Sequence, residues 1–147
     1  MSTPLPISTI QQQIISEFAL LSGDLEMTVM YVMELGQRLP AFPEHSRTEL
    51  NEVKGCQSKV WLVAREAHGR IFFQADSNTA ITKGLVSLLV RIFDGQTPDD
   101  ILAADLHFIR DIGMDRFIGT QRSNGFAAMI KQMKMFALAL KTNMQEK

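Results

Sequence analysis

Two short runs rich in β-branched and aromatic residues limit the fold of this chain more than any other feature. They occupy residues 60–64 and 71–75, and polar residues with Gly69 separate them. Two such runs joined by a glycine-containing segment favour an antiparallel hairpin. Residues 51–54 are a weaker candidate for a third strand. The sequence therefore predicts one small antiparallel sheet of three strands, with the rest of the core supplied by helices.

Helical patterns lie on both sides of this predicted sheet. A first apolar stripe consists of Ile10, Ile14, Phe18 and Leu21. Asp24 is a suitable N-cap for a second helix, which the prolines at positions 40 and 43 end. A third helix at about residues 78–93 is apolar over about half of its circumference, so it should pack on more than one side.

The C-terminal third of the chain is predicted to be helical. Short helices are expected at residues 98–104 and 106–112, and Ser123 is a candidate N-cap for a last helix. The apolar stripe of that helix consists of Phe126, Met129, Ile130, Met133, Ala137 and Leu140. Helices, a small meander and further helices predict an α+β fold with helices covering the sheet.

The composition favours a single domain, residues 1–147, working in the cytoplasm. Of the 147 residues, 46% are apolar and 21% are charged, with a net charge of −1, so nothing indicates nucleic acid or an anionic membrane as a partner. No apolar stretch approaches the roughly 20 residues of a membrane-spanning helix. The N-terminal MSTPLPISTIQQQ lacks the basic start and apolar block of a secretory signal. A single cysteine forms no internal disulfide, which favours a reducing compartment.

The same cysteine count restricts the chemistry. A zinc or iron–sulfur site needs three or four ligands, whereas the chain has one cysteine and three scattered histidines, His45, His68 and His107. Neither a phosphate-binding nor a dinucleotide-binding glycine motif is present. We therefore expect no resident metal and no nucleotide cofactor.

The one cysteine, Cys56, has two interpretations. It is either a small buried apolar residue without chemistry, or a nucleophile on a loop. The sequence Gly-Cys-Gln-Ser at residues 55–58 is typical of a turn between strand-like segments, where functional side chains are common. Lys54 and Lys59 are close enough in sequence to favour the thiolate, although they are equally consistent with solvated lysines at a strand end.

Four separated motifs carry a family resemblance. They are Glu-Leu-Gly-Gln-Arg-Leu-Pro at residues 34–40, Val-Lys-Gly-Cys-Gln-Ser-Lys-Val-Trp at 53–61, Asp-Ser at 76–77 leading to Lys-Gly-Leu at 83–85, and Arg-Ser-Asn-Gly at 122–125. In order and spacing the chain resembles the SufE family over about residues 25–140. Gln57 and Ser58 are more similar to SufE proper than to CsdE. Asn124 departs from the glutamine that is usual in the family, and the first 20 or so residues are a poorly matched extension or a first helix.

The resemblance implies a compact fold related to the IscU-type scaffold and a role in sulfur transfer. Cys56 would accept sulfur as a persulfide from a PLP-dependent cysteine desulfurase of the SufS type, and the chain would stimulate that enzyme. The sulfur would pass to the SufBCD scaffold complex for iron–sulfur cluster assembly. PLP would belong to the desulfurase, so this chain would be an accessory protein and not itself an enzyme. The resemblance also leaves room for a weak homodimer.

The resemblance assigns supporting or partner-contacting roles to other motif residues, namely Gly55, Gln57, Ser58, Trp61, Asp76 and Arg122. Val60 and Trp61 are expected in the core or around an apolar pocket that shelters the sulfur. Asp76 and Ser77 are expected to cap the third helix, or else to contact a partner. Arg122 is interpreted either as a surface ion pair or as a cation near Cys56.

Two other functions remain open from the residues alone. A small cysteine-dependent hydrolase would use Cys56 as nucleophile and one of the three histidines as base, which requires a base within hydrogen-bond reach of the thiol. A purely structural or activating subunit would not need the thiol at all.

Overall fold

The computed structural model describes residues 4–116 and 118–145, which form two antiparallel strands and six α-helices. In chain order these are α1 (Ile7–Ala19), α2 (Leu25–Gln37), β1 (Val60–Ala67), β2 (Arg70–Ser77), α3 (Ala80–Phe93), α4 (Pro98–Ala103), α5 (Phe108–Asp111) and α6 (Gly119–Gln145). Short 3-10 turns occupy Glu44–Ser46, Glu49–Asn51 and Met114–Arg116. The predicted α+β class is confirmed.

Strands β1 and β2 form the predicted hairpin. Their register places Val60 opposite Ser77 and Ala67 opposite Arg70. His68 and Gly69 connect them with φ angles of 55° and 78°. Positive φ at both residues is typical of the tight turns that match the twist of paired strands.

The predicted third strand at residues 51–54 is wrong. Only a single bridge, between Glu52 and Trp61, forms there, together with a bond of 2.8 Å from the Val53 N–H to the carbonyl of Val60. A 3-10 turn ends at Asn51 and a new turn begins at Lys54, so too few residues are extended to form a strand. The sheet therefore has two strands within the described chain.

Helix α3 packs on the sheet on one side and on α2 on another, as its wide apolar stripe predicts. Its buried residues are Thr82, Gly84, Leu85, Val86, Leu88, Leu89, Ile92 and Phe93. The inner face of the hairpin contributes buried side chains from both strands, among them Leu62, Ile71 and Phe73. The hairpin and α3 thus form the centre of the core.

Helices α2 and α3 approach each other at two glycines. A Cβ atom added to Gly84 would lie 2.1 Å from the carbonyl oxygen of Val32, and one added to Gly36 would lie 2.6 Å from the nitrogen of Gly84. Real side-chain carbons do not come so close, so glycine is required on both sides of this contact. Gly36 and Gly84 therefore serve the close packing of α2 on α3.

The helix termini test the sequence predictions directly. Asp24 caps α2 as predicted, since its side chain accepts a hydrogen bond of 2.9 Å from the Met27 N–H. The N-terminal segment forms α1, with Ile10, Ile14 and Phe18 buried in the core.

Helix α6 begins at Gly119, not at Ser123, so the predicted N-cap is wrong. Gly119, Thr120, Gln121 and Arg122 are all exposed, and a solvent-exposed first turn has no apolar periodicity that would reveal it in the sequence.

Candidate functional site

Cys56 lies on a turn between the bridge at Glu52 and strand β1. We refer to residues 54–58 as the Cys56 loop. Gly55 has a φ of +92°, a left-handed conformation that only glycine adopts without strain. A Cβ atom at Gly55 would also lie 3.3 Å from the Cβ of Ala128 on α6. Glycine at position 55 therefore allows the loop to turn back, so that the Cys56 thiol lies against α6.

The thiol contacts α6 at a residue without a side chain. The Sγ atom of Cys56 donates a hydrogen bond of 3.4 Å to the carbonyl oxygen of Gly125. A Cβ atom at Gly125 would lie 3.5 Å from this sulfur, in ordinary van der Waals contact. Glycine thus leaves open the space beside the sulfur that any other residue would fill.

A recess of about 90 Å³ opens beside this sulfur, and we refer to it as the Cys56 pocket. It is lined by Cys56, Gln57, Ser58, Thr82, Leu85, Gln121, Arg122, Gly125 and Met129. Leu85 from α3 and Met129 from α6 are fully buried and supply apolar surface. Exposed Gln121 and Arg122, from the first turn of α6, supply polar groups. The pocket is therefore apolar where it is deep and polar where it meets solvent.

The closed loop disfavours the charged form of the thiol. Burial raises the pKa of Cys56. Lys54 is exposed, and Lys59 lies 3.8 Å from the carboxylate of Glu52. The interpretation that these lysines favour the thiolate gains no support, because the shift of the Cys56 pKa is upward. The thiol is half-buried, and this burial favours its protonated form over the thiolate.

The C-terminal end of the Cys56 loop is held firmly to the start of α3. The Lys59 N–H donates 3.0 Å to Asn78 Oδ1, and the Asn78 N–H donates 3.2 Å to the Lys59 carbonyl. The Ser77 hydroxyl donates to the same carbonyl at 2.8 Å. Ser77 therefore fixes the loop end instead of capping α3, whose N-cap is Thr79.

Asp76, which is itself buried, forms ion pairs with two partly exposed cations next to this anchor. Its Oδ2 accepts from Nε and Nη2 of Arg47 at 3.1 and 2.6 Å, and its Oδ1 lies 3.4 Å from Nζ of Lys83. Burial by itself raises the pKa of Asp76, but Arg47, the Ser77 N–H and Lys83 together hold it below its ordinary value. The expected helix cap is thus wrong for Asp76, which joins the 3-10 turn before the Cys56 loop to β2 and α3.

Of the predicted site residues Trp61 and Arg122, only Arg122 lines the Cys56 pocket. Val60 is buried in the core as predicted, whereas Trp61 is half-buried on the other face of β1. Trp61 is not among the residues that line the Cys56 pocket, so its predicted place there is wrong, because alternate residues of a strand face opposite ways. Arg122 does line the pocket, in the first turn of α6, which brings a cation to the recess beside Cys56.

Five residues that line the pocket are not predicted as site residues from the sequence, namely Thr82, Leu85, Gln121, Gly125 and Met129. Thr82 lies on the pocket wall and is buried. Its helix face is otherwise apolar, so a single hydroxyl in the apolar stripe is the sequence signal that could identify it. Gln121 lies in a helical turn that has no apolar pattern, so no comparable signal marks it.

The three histidines lie away from the pocket. His45 lies in a 3-10 turn, His68 in the hairpin turn, and His107 beside Asp111 at α5. None of them lines the Cys56 pocket, so the geometry supplies no imidazole base for a hydrolase. Within residues 4–116 and 118–145, no group of three or more His, Cys, Asp or Glu side chains is arranged to hold a metal ion. No helix of this part of the chain is long and apolar enough to cross a bilayer.

The fold and the site together define a small α+β protein that presents one cysteine on a loop over a partly apolar recess. A solution structure of a hypothetical protein from Thermus thermophilus has the same fold, with a TM-score of 0.74 and 21% identity, over 90% of this chain and 96% of that one. The family model of SufE, the Fe-S metabolism associated domain, matches residues 12–137. The chain belongs to the SufE family and thus to the proteins of iron–sulfur metabolism.

Proposed function

We propose that Cys56 accepts sulfur from the persulfide of a cysteine desulfurase and carries it as a persulfide of its own. The Cys56 thiol first loses its proton, and the thiolate attacks the outer sulfur of the donor persulfide. A new S–S bond forms at Cys56 while the donor S–S bond breaks. The desulfurase cysteine leaves as a thiolate, so no external oxidant or reductant is needed.

The observation that carries this proposal is the recess beside the Cys56 sulfur. Its volume of about 90 Å³ is several times the ~10–15 Å³ that a cavity needs to hold one water molecule. One additional sulfur atom therefore fits next to Gly125, with apolar contact from Leu85 and Met129. Such a position would shelter a persulfide from thiols in solution.

The closed loop protects sulfur but does not favour transfer. Burial raises the pKa of the thiol, so the nucleophilic thiolate is scarce while the loop is closed. Transfer also requires contact with a sulfur atom inside another protein. We therefore expect the Cys56 loop to turn outward in the complex, with Gly55 as one hinge. Turning outward would hydrate the thiol and bring it within reach of the donor.

The proposed partners follow from family membership and the residues of the loop. The donor would be a desulfurase of the SufS type, which holds PLP itself and is stimulated by this chain. Gln57 and Ser58 favour the SufE type over the CsdE type. The acceptor would be the SufBCD scaffold, with both exchanges in the cytoplasm. Arg122 on the pocket would attract the negative charge of the thiolate or of the partner's persulfide.

Cys56→Ser tests the proposal. The substitution is nearly isosteric on a loop, so we expect the stability to change by less than about 1 kcal/mol. After incubation with a SufS-type desulfurase and L-cysteine, intact mass should show one added sulfur on the wild-type chain and none on the variant. Release of that sulfur by a reductant is the control for a persulfide.

Two outcomes would contradict the proposal. One is a sulfur adduct on the Cys56→Ser chain. The other is undiminished stimulation of the desulfurase by that chain together with no adduct on the wild type, which would make the protein an activating subunit that does not carry sulfur.

A further inference from the structure

The Cys56 loop is anchored to the sheet region at both ends and is held only weakly between them. At its C-terminal end, Lys59 is bonded through both backbone groups to Asn78. At its N-terminal end, the buried Val53 donates its N–H to the carbonyl of Val60 at 2.8 Å. Between these two anchors, Gly55 lies in a left-handed turn, and the Cys56 side chain is bonded to Gly125 through a weak thiol donor at 3.4 Å. Outward motion is therefore confined to residues 54–58, between the anchors at Val53 and Lys59, and Ser58 belongs to the part that moves.

Ser58 is bonded to helix α3 in a group of three hydroxyls, which we call the hydroxyl cluster. The hydroxyl of Thr79 donates to Ser58 Oγ at 3.0 Å, and that of Thr82 donates to the same atom at 3.3 Å. Both donors are fixed to α3, while the acceptor moves with the loop. Opening the loop must break these two bonds.

The bonding of Thr79 is unusual for its position. Thr79 is the N-cap of α3, but its side chain makes no capping hydrogen bond to that helix. A threonine at an N-cap ordinarily accepts from a backbone N–H of the first turn. Its hydroxyl instead reaches across to Ser58, so the loop contact takes the place of the cap.

Thr82 gives a second, independent observation. It is 5% exposed and lies on the pocket wall next to apolar Leu85. A buried hydroxyl needs a hydrogen-bond partner, and here that partner is Ser58. When the loop leaves, water must enter the recess to satisfy Thr82. The same hydrogen bond thus holds the loop closed and satisfies the buried hydroxyl of Thr82.

We infer that Thr79 and Thr82 are positioning residues, which set the balance between the closed and open states of the Cys56 loop through Ser58. They act on the rate at which the thiol meets a reagent or a partner and have no part in the sulfur exchange itself. The biological meaning of this inference rests on the proposed sulfur-carrier function. The loop equilibrium itself does not, and it is measured on the isolated chain.

The test compares alkylation of Cys56 by a bulky maleimide at fixed pH. The double substitution Thr79→Val and Thr82→Val removes both donors while keeping the branched shape of the side chains. Alkylation should accelerate by a factor of about 5 to 30, which corresponds to the loss of about 1–2 kcal/mol of closed-state stability. Thr82→Ser within a wild-type background keeps the hydroxyl and should react at nearly the wild-type rate.

Ser87→Ala is the matched control, because Ser87 lies on the same helix but donates to the nearby carbonyl of Gly84. It should leave the alkylation rate unchanged. If the double variant is not folded by circular dichroism, Ser58→Ala removes the acceptor and decides the question by the same measurement.

Unchanged alkylation in a folded double variant, or in Ser58→Ala, would overturn the inference. An equal acceleration in Ser87→Ala would also overturn it, since any loosening of α3 would then suffice. Failure of sulfur transfer with normal acceleration would instead contradict the proposed function and leave the hydroxyl cluster as a determinant of loop opening.

Discussion

The Sγ atom of Cys56 lies 3.4 Å from the carbonyl oxygen of Gly125, although 69 positions separate the two residues in the chain. The contact exists because Gly55 turns the loop back and Gly125 has no side chain to block it. A carbonyl oxygen has two lone pairs, so Gly125 can accept this bond in addition to its helical one. The environment of the thiol is therefore determined by a helix far along the chain.

Gly125→Ala should keep the fold and shorten the life of the persulfide. The new methyl group would be 3.5 Å from the sulfur, in ordinary contact, and alanine is favoured over glycine within a helix by about 1 kcal/mol. The melting temperature should therefore stay the same or rise. Crowding of the added sulfur at a cost of about 1–2 kcal/mol would increase loss to a small thiol by a factor of about 5 to 30. A persulfide that decays at the wild-type rate would show that the sulfur lies elsewhere.

The reactivity of Cys56 should depend on pH with a midpoint above that of the unfolded chain. Burial raises the pKa of the thiol in the folded protein. The folded state thus holds the proton more tightly, so this contribution to stability is complete below the unfolded pKa, about 8.5, and is lost as the pH rises through the folded value.

The rate of alkylation by iodoacetamide, measured against pH, gives the midpoint of the folded chain in buffer and that of the unfolded chain in urea. At alkaline pH the wild type should lose stability relative to Cys56→Ser, because the serine variant has no thiol to titrate. A folded midpoint at or below the one in urea would mean that a cation stabilises the thiolate in the closed loop.

Asp76→Asn should destabilise the protein at neutral pH by about 1–2 kcal/mol. The variant removes the charge that Arg47 and Lys83 share, but both cations are partly exposed and can be hydrated, which limits the loss. The pKa of Asp76 is lowered in the folded state, so its contribution is present above the unfolded pKa, about 3.9, and disappears as the pH falls through the folded value.

Urea denaturation at several pH values checks this expectation. The stability difference between wild type and Asp76→Asn should be largest near neutral pH and should shrink in acid. A difference that does not depend on pH would assign the effect to packing instead of charge.

Gly84→Ala should destabilise the protein by about 3 kcal/mol or more. Its methyl group would meet the backbone of Val32 at 2.1 Å, and backbone cannot rotate away as a side-chain end can. Gly125→Ala is the matched control, because it makes the same chemical change in another helix where the space allows it. Similar melting temperatures for the two variants would contradict the close approach of α2 and α3.

Local signals make much of the fold predictable. The cap at Asp24, the hairpin, and the apolar stripe of α3 each depend on residues that are neighbours in the chain or follow a simple period. The predicted third strand is wrong because residues 51–54 are compatible with extension, while the turns on both sides leave too little chain for pairing. The strand preferences of single residues do not show whether a segment forms a strand or is taken up by the turns beside it.

The site is less predictable because its contacts are non-local. The turn around Cys56 is evident from its glycine and polar residues, but nothing local indicates that α6 closes the pocket or that Arg122 lies on it. Only the alternative that Trp61 lines the pocket is wrong, and for a related reason, since the two faces of β1 are distinguished only by what packs on them. The hydrogen bonds of Thr79 and Thr82 are equally unpredictable from local sequence, because their common partner Ser58 lies more than 20 positions away.

The contact between Gly36 and Gly84 has a consequence for the site as well as for the core. Thr82 and Leu85, on either side of Gly84, both line the Cys56 pocket, so the wall opposite the loop belongs to a helix whose position is fixed by backbone contact with α2. Such a wall keeps its shape when the loop departs. For the proposed carrier, which would release and recapture the Cys56 loop, this wall is a permanent receiving surface, and each return of the loop would restore the same geometry around the sulfur.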